Sequence, residues 1–199
     1  MTTLLSPLLS GLTLDKDEYI GLLTKLIGES IHLQNNPRQG LVPDESRIVP
    51  HLLEVLNPHS TDNGGPLVIE TLVYQDARPN LKITFPGTDS DAGCTGLIGS
   101  HMDVVPANPE SWERDPFQLS VEGDKLYGRG TTDCLGHVGM ITLLFKALAE
   151  RRPSLKRSVV ALFIAGEEGG EAGVGVDMVV ASGGIDELKH GTCYWIDSA

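Results

Sequence analysis

Four places in the 199-residue chain carry side chains that could bind a cation or move a proton: His101 with Asp103, Asp133, the pair Glu167-Glu168, and Asp197. One imidazole among several carboxylates is a donor set suited to a hard-to-borderline divalent ion. Taken singly, each place has an ordinary reading. A His-x-Asp is common by chance, Asp133 could cap the helix after it, Glu167 and Glu168 could be solvated loop carboxylates, and Asp197 alone says almost nothing. Their spacing argues for a shared purpose, because they recur about every thirty residues, the length of one strand-helix-strand unit.

The elements predicted around them give that spacing a meaning. His101 and Asp103 follow a short buried strand over 96–100, and Asp133 precedes a Leu- and Ala-rich helix over 135–150. Glu167 and Glu168 follow an apolar strand over 159–165, and Asp197 follows a strand over 192–196. With a further helix over 174–181, strands and helices alternate, which implies α/β architecture, parallel pairing and right-handed crossovers. Ligands of open α/β sheets bind beyond the carboxyl ends of the strands, so all four places project toward one rim.

Upstream, Asp15 can cap a helix running to about residue 27, with Tyr19, Ile20, Leu23, Leu26 and Ile27 on one face. A polar loop over 28–44 contains Asn35-Asn36-Pro37 and Pro43, and a second helix is expected over 45–56. Strands over 67–74 and 81–85 form a neighbouring pair joined through Ala77-Arg78-Pro79-Asn80, and 106–127 is mostly loop with a hairpin around Glu122-Gly123-Asp124. Residues 1–13 read as a leader.

Other candidates carry less. His137, four residues after Asp133, is read as helix packing or a contact behind the site, and His32, His51, His59 and His190 lack ligand-type neighbours. Cys134 abuts Asp133 without an obvious base and reads as a buried thiol. Gly128-Arg129-Gly130 is a close-packed turn delivering Asp133, not a phosphate loop, and neither H-E-x-x-H nor G-x-S-x-G occurs.

With 27 acidic against 15 basic residues and a formal net charge of -12, the chain has no surface for tracking phosphates, so no nucleic-acid partner is expected. An acidic solubility surface accounts for most of the excess, and part of it could sit in a cation site. Cys94, Cys134 and Cys193 are odd in number and far apart, which favours a reducing, cytoplasmic location. No basic residue precedes Lys16, so a secretory or organellar signal is not expected. No apolar run approaches ~18 residues, so no membrane span is expected.

The motifs Ser100-His101-Met102-Asp103-Val104-Val105-Pro106, Leu126-Tyr127-Gly128-Arg129-Gly130-Thr131-Thr132-Asp133 and Glu167-Glu168 resemble the M20 family of zinc aminoacylases and exopeptidases. Trp112-Glu113-Arg114-Asp115-Pro116-Phe117 fits the same pattern, and the resemblance runs from about Leu14 onward. Within the family, Gly130 to His137, 173–178 and Tyr194-Trp195-Ile196-Asp197 look most like the plant-type acetylornithine deacetylases. The resemblance implies a three-layer αβα fold with a mixed, largely parallel sheet, and a pair of zinc ions, with cobalt as a possible substitute. It implies His101, Asp133 and Asp197 as ligands of one ion, with Asp133 bridging to a second that Glu168 binds. It further implies that Asp103 orients the His101 ring, that Glu167 is the general base, and that the peptide after Asp133 is cis. The substrate it implies is a small N-acyl amino acid or dipeptide, with a dipeptidase or a succinyl-diaminopimelate desuccinylase as alternative activities.

In the family, the catalytic domain resumes after an inserted lid or dimerisation domain and supplies a last His. Residues 14–199 are therefore expected to be the N-terminal part of the catalytic domain, binding one zinc better than the other and having little or no turnover alone. The family's homodimer contacts fall in the inserted domain and are not predictable from these residues. A non-catalytic fragment is the competing reading from a different class.

Overall fold

The computed structural model describes residues 12–198; residues 1–11 of the expected leader, and Ala199, lie outside the described residues. Asp15 opens helix α1 (Lys16–Glu29), its Oδ1 accepting the N–H of Glu18 at 2.9 Å. That bond satisfies one of the amides a helix start leaves orphaned, and Asp17 and Glu18 in the first turn suit the positive end of the helix dipole. The buried face of α1 carries Leu22, Leu23, Leu26 and Ile27.

Helix α2 spans Val49–Leu56 and is preceded by a separate 3-10 turn at Glu45–Arg47. The expected single helix over 45–56 is thus broken in two. Pro50 has no amide to donate to the carbonyl four residues back, so a continuous helix could not be hydrogen-bonded there. The loop before it is held by one local bridge, Asn36 with Leu41, and one distant one, Gln34 with Val104.

Strands β1 (Val68–Val73) and β2 (Pro79–Phe85) form an antiparallel hairpin, registering Val73 with Pro79 and Leu72 with Asn80. The strand expected from 81 therefore begins two residues earlier, because Pro79 and Asn80 pair across the hairpin instead of serving as turn. Strand β3 (Cys94–Ile98), the small hairpin β4 (Ser120–Glu122) and β5 (Lys125–Tyr127), and helix α3 (Leu135–Arg151) follow. Strand β6 (Ser158–Phe163), helix α4 (Val176–Ala181) and strand β7 (Thr192–Trp195) complete the described fold.

The five-stranded sheet runs β1-β2-β6-β3-β7. It is mixed: β6-β3 and β3-β7 are parallel, while β1-β2 and β2-β6 are antiparallel. Strand β2 runs against both of its neighbours and supplies both antiparallel ladders of the mixed sheet expected. Along β6 and just past it the side chains alternate between two cores, as the two-residue period of a strand requires. Ala161 and Phe163 join the main core with α1, α2 and α3, whereas Leu162 and Ile164 pack with Val179 of α4 on the opposite face. The layers are therefore helix, sheet, helix. Helix α3 packs on α1 beside Gly139, where even a Cβ would meet the Tyr19 ring at 3.5 Å and Leu26 at 3.6 Å in ordinary contact. No helix among the described residues is long and apolar enough to cross a membrane.

Candidate metal centre

The parallel ladders bring the ends of β3, β6 and β7 to one rim. His101 bridges Ile164 just past β6, Met102 donates to the Ile164 carbonyl at 2.9 Å, and Ile196 donates to Ile98 at 2.6 Å. His101 is 1% exposed and Asp103 0% exposed, so this part of the site is walled by protein. Nδ1 of His101 lies 2.9 Å from the Asp103 carbonyl oxygen and 3.3 Å from Asp103 Oδ1, which turns Nε2 outward to the rim. Around Nε2 stand Asp133 Oδ1 at 2.9 Å, Asp197 Oδ1 at 3.6 Å and Glu167 Oε2 at 4.0 Å.

Asp133 reaches the rim from a tight turn. Gly136 donates to the Gly130 carbonyl at 3.0 Å, and a Cβ on Gly136 would sit 2.0 Å from the Thr131 carbonyl oxygen, so only glycine fits. The Asp133–Cys134 peptide is cis, as the resemblance implied. Arg129 stacks over Trp112 at 5.1 Å, tying this turn to the loop expected to accompany it. Cys134 heads α3 as a buried thiol, 3.4 Å from His137 Nδ1, and burial pushes it up to about 12. That leaves Asp133 free of the capping role its position allowed.

Glu167 and Glu168 leave β6 on a loop fixed by Asp103 and, behind it, by Asn35, which the sequence does not flag. Asp103 Oδ1 accepts the Glu167 N–H and Oδ2 the Glu168 N–H, each at 3.0 Å. Asn35 donates to Asp103 Oδ2 at 2.7 Å, from the polar loop that showed no chemical signal of its own. Val105 in turn donates its N–H to Glu168 Oε1 at 3.2 Å.

The charges are strongly coupled. Burial works against protonation of His101, but the Asp103 and then the Asp133 carboxylates outweigh it and push the ring up to about 9. Burial would raise Asp103, yet its hydrogen bonds from His101, Asn35 and the Glu167 amide hold it below the usual carboxylate range. Burial, followed by the Asp133 charge, raises Glu168 to about 7. Glu167 is raised too, by burial first and then by Asp103, Asp197 and Asp133, against the lowering effect of His101. Carboxylates crowded this closely resist joint ionisation unless a cation compensates them.

Two groups of donor atoms lie within 4.8 Å of one another: His101 with Asp133, Cys134 and Asp197, and His101 with Glu167 and Glu168. His101 thus stands with Asp133 and Asp197 in one group and with Glu167 and Glu168 in the other, while Asp133 and Glu168, expected to share the second ion, do not fall in one group. An imidazole nitrogen among carboxylate oxygens fits a divalent metal ion, which would take the place of the proton on His101 and offset the surplus negative charge.

The chain is similar to several known proteins. The sequence profile of "Peptidase family M20/M25/M40" matches residues 97–194. Over 189 residues the chain is 54% identical to acetylornithine deacetylase of Arabidopsis thaliana, covering 94% of this chain and 42% of the relative. It is 47% identical over 194 residues to acetylornithine deacetylase of Dictyostelium discoideum, covering 94% of this chain and 43% of that one. Thus it spans less than half the length of these relatives. Human carnosine dipeptidase 1 superposes with a TM-score of 0.69 at 22% identity, over 96% of this chain and 40% of that one. An M20 family metallo-carboxypeptidase from Sulfolobus solfataricus gives 0.56 at 21% identity, over 78% and 32%. These two structures share the fold. The sequence matches, not the shared fold, place residues 97–194 of the chain in the M20/M25/M40 family of peptidases.

Proposed function

We propose that the chain carries the metal-binding and proton-handling part of a zinc-dependent amide hydrolase of the acetylornithine deacetylase type. The reaction is N-acetylornithine plus water to ornithine plus acetate, a step of arginine biosynthesis. The observation that carries this reading is the ring of carboxylates around Nε2 of a buried His101, with Asp133 Oδ1 2.9 Å away. The similarity to two acetylornithine deacetylases along 94% of the chain supports the choice of substrate. A cytoplasmic location belongs to the same proposal, in keeping with three free cysteines.

His101, Asp133 and Asp197 would hold one zinc ion, and Asp133 with Glu168 a second. Bound zinc supplies Lewis acidity that polarises an amide carbonyl and eases deprotonation of water. The Asp103 contacts to Nδ1 fix the tautomer of His101 that leaves the Nε2 lone pair at the rim. Glu167, half exposed and raised by partial desolvation and its anionic neighbours, would accept a proton at Oε from the attacking water. It then returns that proton to the nitrogen of the departing amine. Asp103 keeps Glu167 in place through the peptide N–H, so one carboxylate orients both the imidazole and the base.

The test is turnover by the whole protein of N-acetylornithine, N-succinyl-diaminopimelate and a panel of dipeptides, with zinc or cobalt supplied. N-acetylornithine should give the highest kcat/KM. A preference for dipeptides or the succinyl substrate would overturn the deacetylase assignment while leaving an M20 hydrolase; no hydrolysis of any amide would overturn both.

A further inference from the structure

The donors at the rim are backed by an arrangement that the roles above use only in part. Four consecutive amides leaving β6 each donate to a buried side chain. Ala165 donates to Asn80 Oδ1 at 3.0 Å, Gly166 to Glu45 Oε1 at 3.1 Å, and Glu167 and Glu168 to the two oxygens of Asp103. Strand pairing ends here, so these amides need other acceptors or remain unsatisfied in the interior. Asp103 belongs to the site already described. Glu45 does not, and its place is unusual: a carboxylate with 0% exposure, more than a hundred residues away in sequence from the amide it binds.

Arg78, 1% exposed, makes that burial possible. Its Nε donates to Glu45 Oε2 and its Nη2 to Oε1 at 2.9 Å, a two-pronged pairing. Its Nη1 donates to Glu171 at 2.7 Å. Burial works against the guanidinium's charge, and Glu45 and then Glu171 more than restore it. Arg78 thereby grips the acidic loop at both ends, through Glu45 at Gly166 and directly at Glu171. A buried ion pair that serves stability alone can often be replaced by two apolar side chains without loss. No apolar pair can accept the Gly166 N–H or hold Glu171.

We infer that Glu45, seated by Arg78, is a positioning residue for Glu167 and Glu168, fixing the peptide before them so that both carboxylates reach the metal rim. This rests on the reading that the rim binds a divalent ion. Cobalt(II) binding, followed by visible absorbance, tests it on the native chain, on Glu45→Met/Arg78→Met, on Glu45→Gln, and on the first two combined with Glu168→Gln. The Met pair should unfold cooperatively, like the native chain, yet bind cobalt about tenfold more weakly, the size of effect seen when outer supports of metal ligands are lost. Adding Glu168→Gln should then change little, although the same change in the native background weakens binding about tenfold, because the two share one effect. Glu45→Gln keeps an oxygen for Gly166 and should stay within about threefold of native. A folded Met pair with native cobalt affinity would overturn the inference. Should the Met pair not fold, amide exchange of the native chain decides: slow exchange at Gly166 supports the role, and exchange as fast as an open loop refutes it. A native chain that binds no cobalt would sink the metal-site reading, and the exchange measurement would then judge the positioning alone.

Discussion

The carboxylate of Asp103 accepts the backbone N–H of Glu168 at 3.0 Å, while its other oxygen stands 3.3 Å from the ring of His101. One fully buried side chain thus sets the spacing between the imidazole and the acidic pair. Replacing Asp103 by Asn presents an amide group to donors on one side and removes the counter-charge of His101. Breaking a buried charged pair in this way should cost about 3–5 kcal/mol, read by urea unfolding. It should also lower the His101 pKa, read by NMR. A loss well under about 1 kcal/mol would mean that Asp103 is not the joint described here.

The metal-free chain should lose stability as pH rises. Glu168 is raised to about 7 and His101 to about 9, so both hold their protons more tightly when folded than when unfolded. The contribution of Glu168 is complete below its ordinary value of 4.5 and is lost as pH rises through about 7. That of His101 is complete below 6.5 and is lost as pH rises through about 9. From His101 alone the fall is about 3 kcal/mol. Urea titrations with a chelator, compared with zinc at saturation, check this, because zinc ligands must be deprotonated and bound metal should reverse the trend. Metal-free stability that is flat or rising across this range would contradict the coupling.

Glu167→Ala in the whole protein should reduce turnover by about 10²–10⁴-fold, the span expected for loss of a general base. Bound zinc, measured by elemental analysis, should be nearly unchanged, since the ligand assignment gives Glu167 no share in holding the ions. Survival of activity would remove the base assignment.

Gly169→Ala should disturb the site from outside it. A Cβ there would lie 2.4 Å from Asn35 Oδ1, so Asn35 must move and its 2.7 Å bond to Asp103 lengthens or breaks. Overpacking of this kind costs about 1–3 kcal/mol, and Asn35→Ala should mimic it. Unfolding curves for both variants that overlay the native curve would show that Asn35 does not hold Asp103.

What could be read in the sequence, and what could not, divides along a physical line. His101, Asp133, Glu167, Glu168 and Asp197 were legible because each follows or precedes an element whose period is plain, and strand polarity then sends them to one rim. Asn35, Glu45, Arg78 and Asn80 were not, because their partners lie far off in the chain and hydrophobic periodicity is silent about buried polar groups. Arg78 and Asn80 sat within an expected turn, where charge and amide look ordinary; only the pairing of Pro79 and Asn80 into β2 draws them inward. Glu45 reads as the first residue of a helix, and its partner Arg78 lies far along the chain, beyond the reach of helical periodicity. A charged residue directly before an apolar strand, such as Arg78, is the one clue that could have flagged the network.

The account depends most on His101 and its carboxylates sharing one metal ion, and zinc X-ray absorption of the loaded chain, beside zinc content of His101→Ala, tests that directly. The spectrum should show one imidazole nitrogen with oxygen donors at about 2.0–2.2 Å, and His101→Ala should lose the ion. Sulfur scattering at about 2.3 Å, or full zinc retention by His101→Ala, would contradict it.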